Sequence, residues 1–196
     1  RNMAHLTRST LWSLEEYAAR RAEFRRETIA HKRRRTVHLG PHVTLLFEDE
    51  ITVRYQIQEM LRIERTFEPE GIQEELDAYN PLIPDGRNFK ATMLIEYPDE
   101  AVRAAQLRVL KGIERATWVR VDGHAKVFAI ADEDLARENE TKTSAVHFLR
   151  FELDAAMARA LKSGAALGMG VDTDNYTVAL DEVAPETQAA LAADLR

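Results

Sequence analysis

Residues 89–130, FKATMLIEYPDEAVRAAQLRVLKGIERATWVRVDGHAKVFAI, carry three structural signals in a fixed order. The run 89–97 is short, apolar and rich in strand-favouring residues, which predicts a strand. Asp99 then opens a helical pattern that Gly112 closes. Residues 118–121 and 125–130 form two more strands joined by Asp122-Gly123, a pair that accepts the positive φ of a tight hairpin turn. The order returns downstream as a strand at 144–152, a helix at 153–162 closed by Gly164, and strands near 167–171 and 176–180. A last helix starts at Pro185. The two stretches share no visible sequence similarity, so they are at best a structural repeat. This alternation predicts an α+β fold: a mixed, mainly antiparallel sheet with helices on one face and an N-terminal helical segment.

Upstream, Ser13-Leu-Glu-Glu16 is a capping box that starts a helix of about 20 residues, to roughly Arg33. Leu14, Tyr17, Ala18, Ala22 and Ile29 are its expected apolar side, with Arg20, Arg21, Arg25, Arg26 and Lys32 on the others. Gly40-Pro41 breaks the pattern, and VTLLF at 43–47 reads as a buried strand. Glu48-Asp49-Glu50 places negative charge at the start of the next helix, 51–67, where the helix dipole favours it. At 100° per residue Val53, Ile57, Met60, Leu61, Ile63 and Phe67 share one arc, with Glu64 near its centre and Gln56 toward one edge. A core-facing carboxylate stripped of its partner costs about 3–5 kcal/mol, so Glu64 calls for a partner, a ligand or a groove. A shorter helix follows, with Ile72, Leu76 and Tyr79 on one side, until Pro81 and Pro84-Asp85-Gly86 end it.

The 196 residues suit one domain: a basic arm at 1–35, a strand and helical pair at 36–88 and an alternating body at 89–196. Zero cysteines exclude disulfides, thiolate metal sites, cysteine catalysis and cysteine-ligated clusters. No apolar run nears the roughly 18 residues that span a bilayer, and no signal peptide opens the chain. The expectation is a cytoplasmic protein with no membrane contact. Arg1-Asn2 ahead of Met3 reads as a remnant of expression. The net charge of −6 hides an asymmetry: residues 1–35 hold ten Lys/Arg against four Glu, a balance of +6, which leaves −12 for the rest. A basic arm on an acidic body predicts attraction within the chain or across a dimer.

Several constellations are candidates for chemistry. The run His31-Lys-Arg-Arg-Arg35, with Arg25, could grip an anion, or it could complement the carboxyl end of its own helix. The acidic body and the lack of any nucleic-acid motif argue against DNA or RNA. Glu59, Glu64, Glu68, Glu74 and Glu75 cluster with Gln56, Arg62 and Tyr79 on two consecutive helices and could converge with His38 or His42. Such oxygen-rich surroundings suit Mn²⁺, Fe²⁺ or Mg²⁺ better than zinc, but the Glu-x-x-His of di-iron bundles is missing. An internal network, such as Glu64 with an arginine of the basic helix, competes with that, and no metal ligand is assigned. His38 and His42 read as surface histidines. His147 shares a strand face with Ala145, Leu149 and Phe151, as a hydrogen-bonded core histidine does. If the sheet is open there, His147 with Arg150 becomes a pocket. Gly164, Gly168 and Gly170 run from helix into strand, the reverse of a phosphate loop, and are structural.

The segments GPHVTLLFED, YQIQEMLRIER, EELDAYNPLIP, ATMLIEYPD and AVHFLRFEL resemble a bacterial family known as domain of unknown function 3501. The resemblance runs from LEEYAARRAEFR to the C-terminal ALAADL. It implies no activity or cofactor. It implies a redox-system partner, because genes of the family lie beside rubrerythrin-like and iron–sulfur oxidoreductase proteins.

Together these features predict a non-catalytic binding or accessory protein that pairs with a second copy as a homodimer; the resemblance alone implies a link to peroxide defence or redox systems. Its ligand or partner surface would draw on Arg25, Lys32, Arg33, Arg34, Arg35, Gln56, Glu59, Arg62, Tyr79 and Arg150. Two alternatives stay open: an enzyme for a small anionic substrate with Glu64 or His147 as proton carrier, and a carboxylate-bound metal protein. The sequence names no cofactor.

Overall fold

The computed structural model describes residues 5–133 and 142–196, so Arg1-Asn2 lie outside the described residues. Ser13 caps α1 (Leu14–Arg33) by accepting from the Glu16 amide, as its motif predicts. A hairpin follows, β1 (Thr36–Leu39) and β2 (Val43–Phe47), and Gly40 between them takes φ +70°. The sequence analysis missed β1. Its alternation is one turn long and it leads into Gly-Pro, which read as a break. The Asp49 side chain caps α2 (Glu50–Glu64) by accepting from the amides of Ile51 and Thr52, and Arg65 ends it in the left-handed conformation. Next come α3 (Pro69–Tyr79), β3 (Asn88–Ile95), α4 (Glu100–Val109), β4 (Thr117–Val121), β5 (Val127–Phe128) and β6 (Ile130–Ala131). The chain closes with β7 (Val146–Glu152), α5 (Ala155–Lys162), β8 (Leu167–Thr173), β9 (Tyr176–Leu180) and α6 (Pro185–Ala192).

The fold is α+β, and all described pairings are antiparallel. The strands divide between two sheets, ordered β1-β2-β3-β7-β6 and β5-β4-β8-β9. This division follows from the repeated order of elements. The first strands of the two stretches, β3 and β7, pair with each other, with Met93 opposite His147. The strands after their helices, β4 and β8, pair in the second sheet, and β5 and β9 flank them symmetrically. The Asp122-Gly123 turn joins β4 to β5, with Gly123 at φ +83°. Both sheets contribute to one apolar core that includes Leu45, Phe89, Phe151, Val119 and Met169. A second, smaller core holds Leu6, Val53, Ile57, Leu61, Leu76 and Ile83, and so ties α2 to α3.

Gly168 and Gly170 lie in β8 where backbone and ring come close: a Cβ on Gly170 would sit 2.3 Å from the Val178 carbonyl and 2.4 Å from Trp118 Cζ2. Among the described residues no helix is long and apolar enough to cross a membrane.

Candidate functional site

The long helix α1 lies antiparallel on α2: Tyr17 and Arg21 reach Glu59 near the end of α2, and His31 reaches Asp49 at its start. Its packed side is Leu14, Tyr17, Arg21, Phe24, Thr28, His31 and Arg35, spaced three and four apart. The expected apolar side is therefore corrected. Ala18, Ala22 and Ile29 face outward, with Ile29 45% exposed. Polar side chains occupy the packed side because α2 meets them with carboxylates. Glu59 accepts from Arg21 Nη2 at 2.7 Å, Arg21 Nε at 2.9 Å and the Tyr17 hydroxyl at 2.8 Å. The Arg21 bonds outweigh partial burial and bring Glu59 down to about 2. Glu59 is thus consumed by an internal network rather than offered to a ligand.

Glu64 is corrected as well. It is the last residue of α2 and is exposed, and Ile63 and Phe67 beside it are 68% and 73% exposed. Its helical angle matches Val53, Ile57 and Leu61, but the stripe outlasts the surface that covers it. Burial first, then the charges of Glu64 and Glu74, holds Glu75 above the usual carboxylate range. Gln56 is exposed, and the buried amide of α2 is Gln58, which accepts from the Trp12 amide at 2.8 Å. Tyr79 packs beside the second core.

Arg35 is 2% exposed and cannot serve a surface ligand. Its Nε donates to the Phe47 carbonyl at 2.7 Å, Nη1 and Nη2 bond the Asp194 carboxylate, and Nη1 lies 3.5 Å from Asp49. Burial raises Asp194 above its ordinary range; the His31 bond and the Arg35 charge overcome burial at Asp49 and hold it below. Arg33 and Arg34 are exposed, and Lys32 lies over the Tyr55 ring at 5.2 Å. On the outer face of β7, Arg150 binds Glu133 at 2.7 and 2.9 Å and Glu152 at 2.5 Å. His147 points to the opposite face, so the two do not form a pocket.

What remains open on the basic arm is a groove of about 570 Å³ between α1 and α2. It is lined by the apolar Ala18, Ala22 and Ile29 together with Arg21, Arg25, Arg26 and Arg62. Arg21 is held by Glu59. Arg25, Arg26 and Arg62 form no ion pair among the described residues. Of the residues expected on this surface, Arg25 and Arg62 are brought together here. Arg26 joins them because it sits one turn from Ala22 and Ile29, on the side that faces solvent.

His147 is fully buried, and three elements converge on it. Its Nδ1 lies 2.6 Å from Asp132 Oδ2, and its Nε2 lies 2.8 Å from Thr143 Oγ1, 2.9 Å from the Ser144 carbonyl and 3.9 Å from Glu114 Oε2. The sequence analysis found the histidine but neither carboxylate. Glu114 lies in a single turn of 3-10 helix and Asp132 takes φ +50° just after β6, and neither position carries a periodic signal.

Residues 5–195 match the model of a family described as "Protein of unknown function (DUF3501)". A crystal structure of a novel protein of unknown function from Burkholderia pseudomallei is similar throughout, at 54% identity and a TM-score of 0.94. The match covers 98% of this chain and 100% of that one. No curated protein matches the chain.

Proposed function

The chain belongs to the DUF3501 family of proteins of unknown function, and we propose that it is a non-catalytic accessory protein that docks an acidic protein surface in the α1–α2 groove. The observation that carries this is a set of three arginines, Arg25, Arg26 and Arg62, that line one groove with the apolar Ala18, Ala22 and Ile29 and are engaged by no carboxylate among the described residues. An apolar centre with a charged rim is the anatomy of a protein interface. Guanidinium forks match carboxylates two bonds at a time, which favours an acidic partner. A small anion is the weaker match, because an open groove leaves its charge in water, where each ion pair contributes under about 1 kcal/mol. The −12 charge of the rest of the chain disfavours nucleic acid. The expected link to a redox system in the cytoplasm supplies the setting in which to look for the partner.

A second copy of this chain is the other reading, favoured by one feature. The α1 helix also carries Glu23 and Glu27, so an antiparallel α1 pair would set carboxylates against arginines. Sedimentation velocity separates the two. Capture from the native host at low salt tests the first reading, with the wild type set against R25E/R26E/R62E. A partner held by the wild type, eluted by salt and lost from the variant is the expected result. Equal capture by both proteins refutes the groove.

A further inference from the structure

We infer that the cleft between α1, the start of α2 and the end of α6 binds a small organic acid, held at its carboxylate by Arg54 and Arg34, at a site apart from the arginine groove. The cleft has a volume of about 540 Å³, within the range of small-molecule sites. Its charged groups sort into two sets. Arg35 is bonded to Asp194 and to main-chain carbonyls, and His31 Nε2 lies 2.6 Å from Asp49 Oδ2. Arg34 and Arg54 form no ion pair among the described residues. Arg54 is the more unusual of the two. Its Nε is buried and has no hydrogen-bond partner, a state that few buried polar atoms show. The residue as a whole is only partly buried, so a ligand can reach the rest of the fork. Its guanidinium lies over the Trp12 ring, 4.1 Å from the centroid, and 5.9 Å from that of Phe24. Burial draws Arg54 below the ordinary guanidinium value; the charge of Glu50 opposes this and that of Arg20 adds to it. Aromatic packing, not a counter-ion, thus fixes a cation in the lining of the cleft.

The surroundings select the ligand. A guanidinium fork matches a carboxylate through two parallel bonds, and a ring that packs on its face keeps the fork oriented. Asp49 and Asp194 are bonded to His31 and Arg35, so Glu50 is the one lining carboxylate that stands against Arg34 and Arg54. One positive charge is left over, which suits a monoanion. A phosphate ester carries nearly two negative charges at neutral pH and would face Asp49, Glu50 and Asp194 together. Ile51, Ala190 and Ala193 supply apolar lining for the body of the acid. The partial desolvation of Arg54 also separates this cleft from the arginine groove, because a charge withdrawn from water binds its counter-ion more strongly.

The test is nuclear magnetic resonance of ¹⁵N-labelled full-length protein titrated with acetate, butyrate, inorganic phosphate and chloride. The reporter is the Arg54 Nε–H signal, identified in the wild type by its contacts to the Trp12 ring, so no variant has to fold. We expect a saturable shift with both carboxylates, and binding of butyrate tighter than acetate by roughly fourfold per buried methylene. Arg34→Met, at an exposed position, should weaken butyrate binding several-fold, and Arg54→Lys, which keeps the charge but not the fork, by about tenfold. No saturable shift with either carboxylate, or a shift that chloride reproduces at equal ionic strength, overturns the site. Butyrate bound equally well by both variants overturns its location. Phosphate bound more tightly than butyrate overturns the assigned class of ligand.

Discussion

Arg35 offers the sharpest check on the packing of the basic arm. Replacing it with Met keeps much of its volume and removes the charge. The Phe47 and Glu48 carbonyls lose a donor each, and Asp49 and Asp194, whose side chains are both 9% exposed, lose the cation that lies between them. Stripping a buried carboxylate of its partner costs about 3–5 kcal/mol. At about 2–4 °C per kcal/mol for a chain of this length, the melting temperature falls by roughly 6–20 °C. Urea denaturation at pH 7 followed by tryptophan fluorescence reads the change directly, with the slope checked for two-state behaviour. Adding Asp194→Asn should restore part of the loss, because one unpaired charge is gone. An Arg35→Met protein within about 1 kcal/mol of the wild type would refute the claim that this arginine holds α1 to the body of the protein.

Glu59 predicts a pH effect. Its carboxyl is lowered to about 2 by Arg21, so its stabilisation is complete above the ordinary value near 4.5 and is lost as pH falls toward 2. Glu59→Gln should flatten that acid limb in a pH series of melting curves, while Glu64→Gln, on an exposed side chain, shifts stability at pH 7 by less than about 0.5 kcal/mol. Gly170→Ala should destabilise by at least about 1–3 kcal/mol, because its Cβ would overlap the Val178 carbonyl and the Trp118 ring. Gly164→Ala meets nothing within 4 Å and costs only the left-handed backbone at φ +95°, about 1–2 kcal/mol. Chemical denaturation of the pair separates crowding from backbone strain.

Where local chemistry decides the outcome, the sequence was a good guide. Ser13 caps a helix, the acidic run 48–50 marks the start of the next, Asp122-Gly123 turns a hairpin, and Gly164 ends α5, each within a few residues of its cause. The repeated strand–helix–strand order was also legible, and it organises both sheets. Side-chain direction on α1 and α2 was not. A helical arc states which residues share a side, not whether another element covers that side. Glu64 has the angle of Leu61 but lies where α2 ends. Ala18, Ala22 and Ile29 form an apolar stripe that stays in water because Tyr17, Arg21 and His31 find carboxylates on the other side. Arg35 read as a surface cation because its partner Asp194 is 159 residues away. Glu114 and Asp132 lie only 33 and 15 residues before His147, but in a 3-10 turn and a strand end that carry no periodic signal linking them to it.

The groove between α1 and α2 carries the functional claim, and a reciprocal charge swap tests it most directly. Isothermal titration would measure the purified acidic partner against the wild type and against R25E/R26E/R62E. The carboxylates of the partner that contact the groove would then be reversed to arginine and the titration repeated. Loss of affinity of at least tenfold in the first variant, about 1.4 kcal/mol, with recovery when the partner's charges are reversed, is the predicted result. Unchanged affinity and unchanged salt dependence in the triple variant would contradict it.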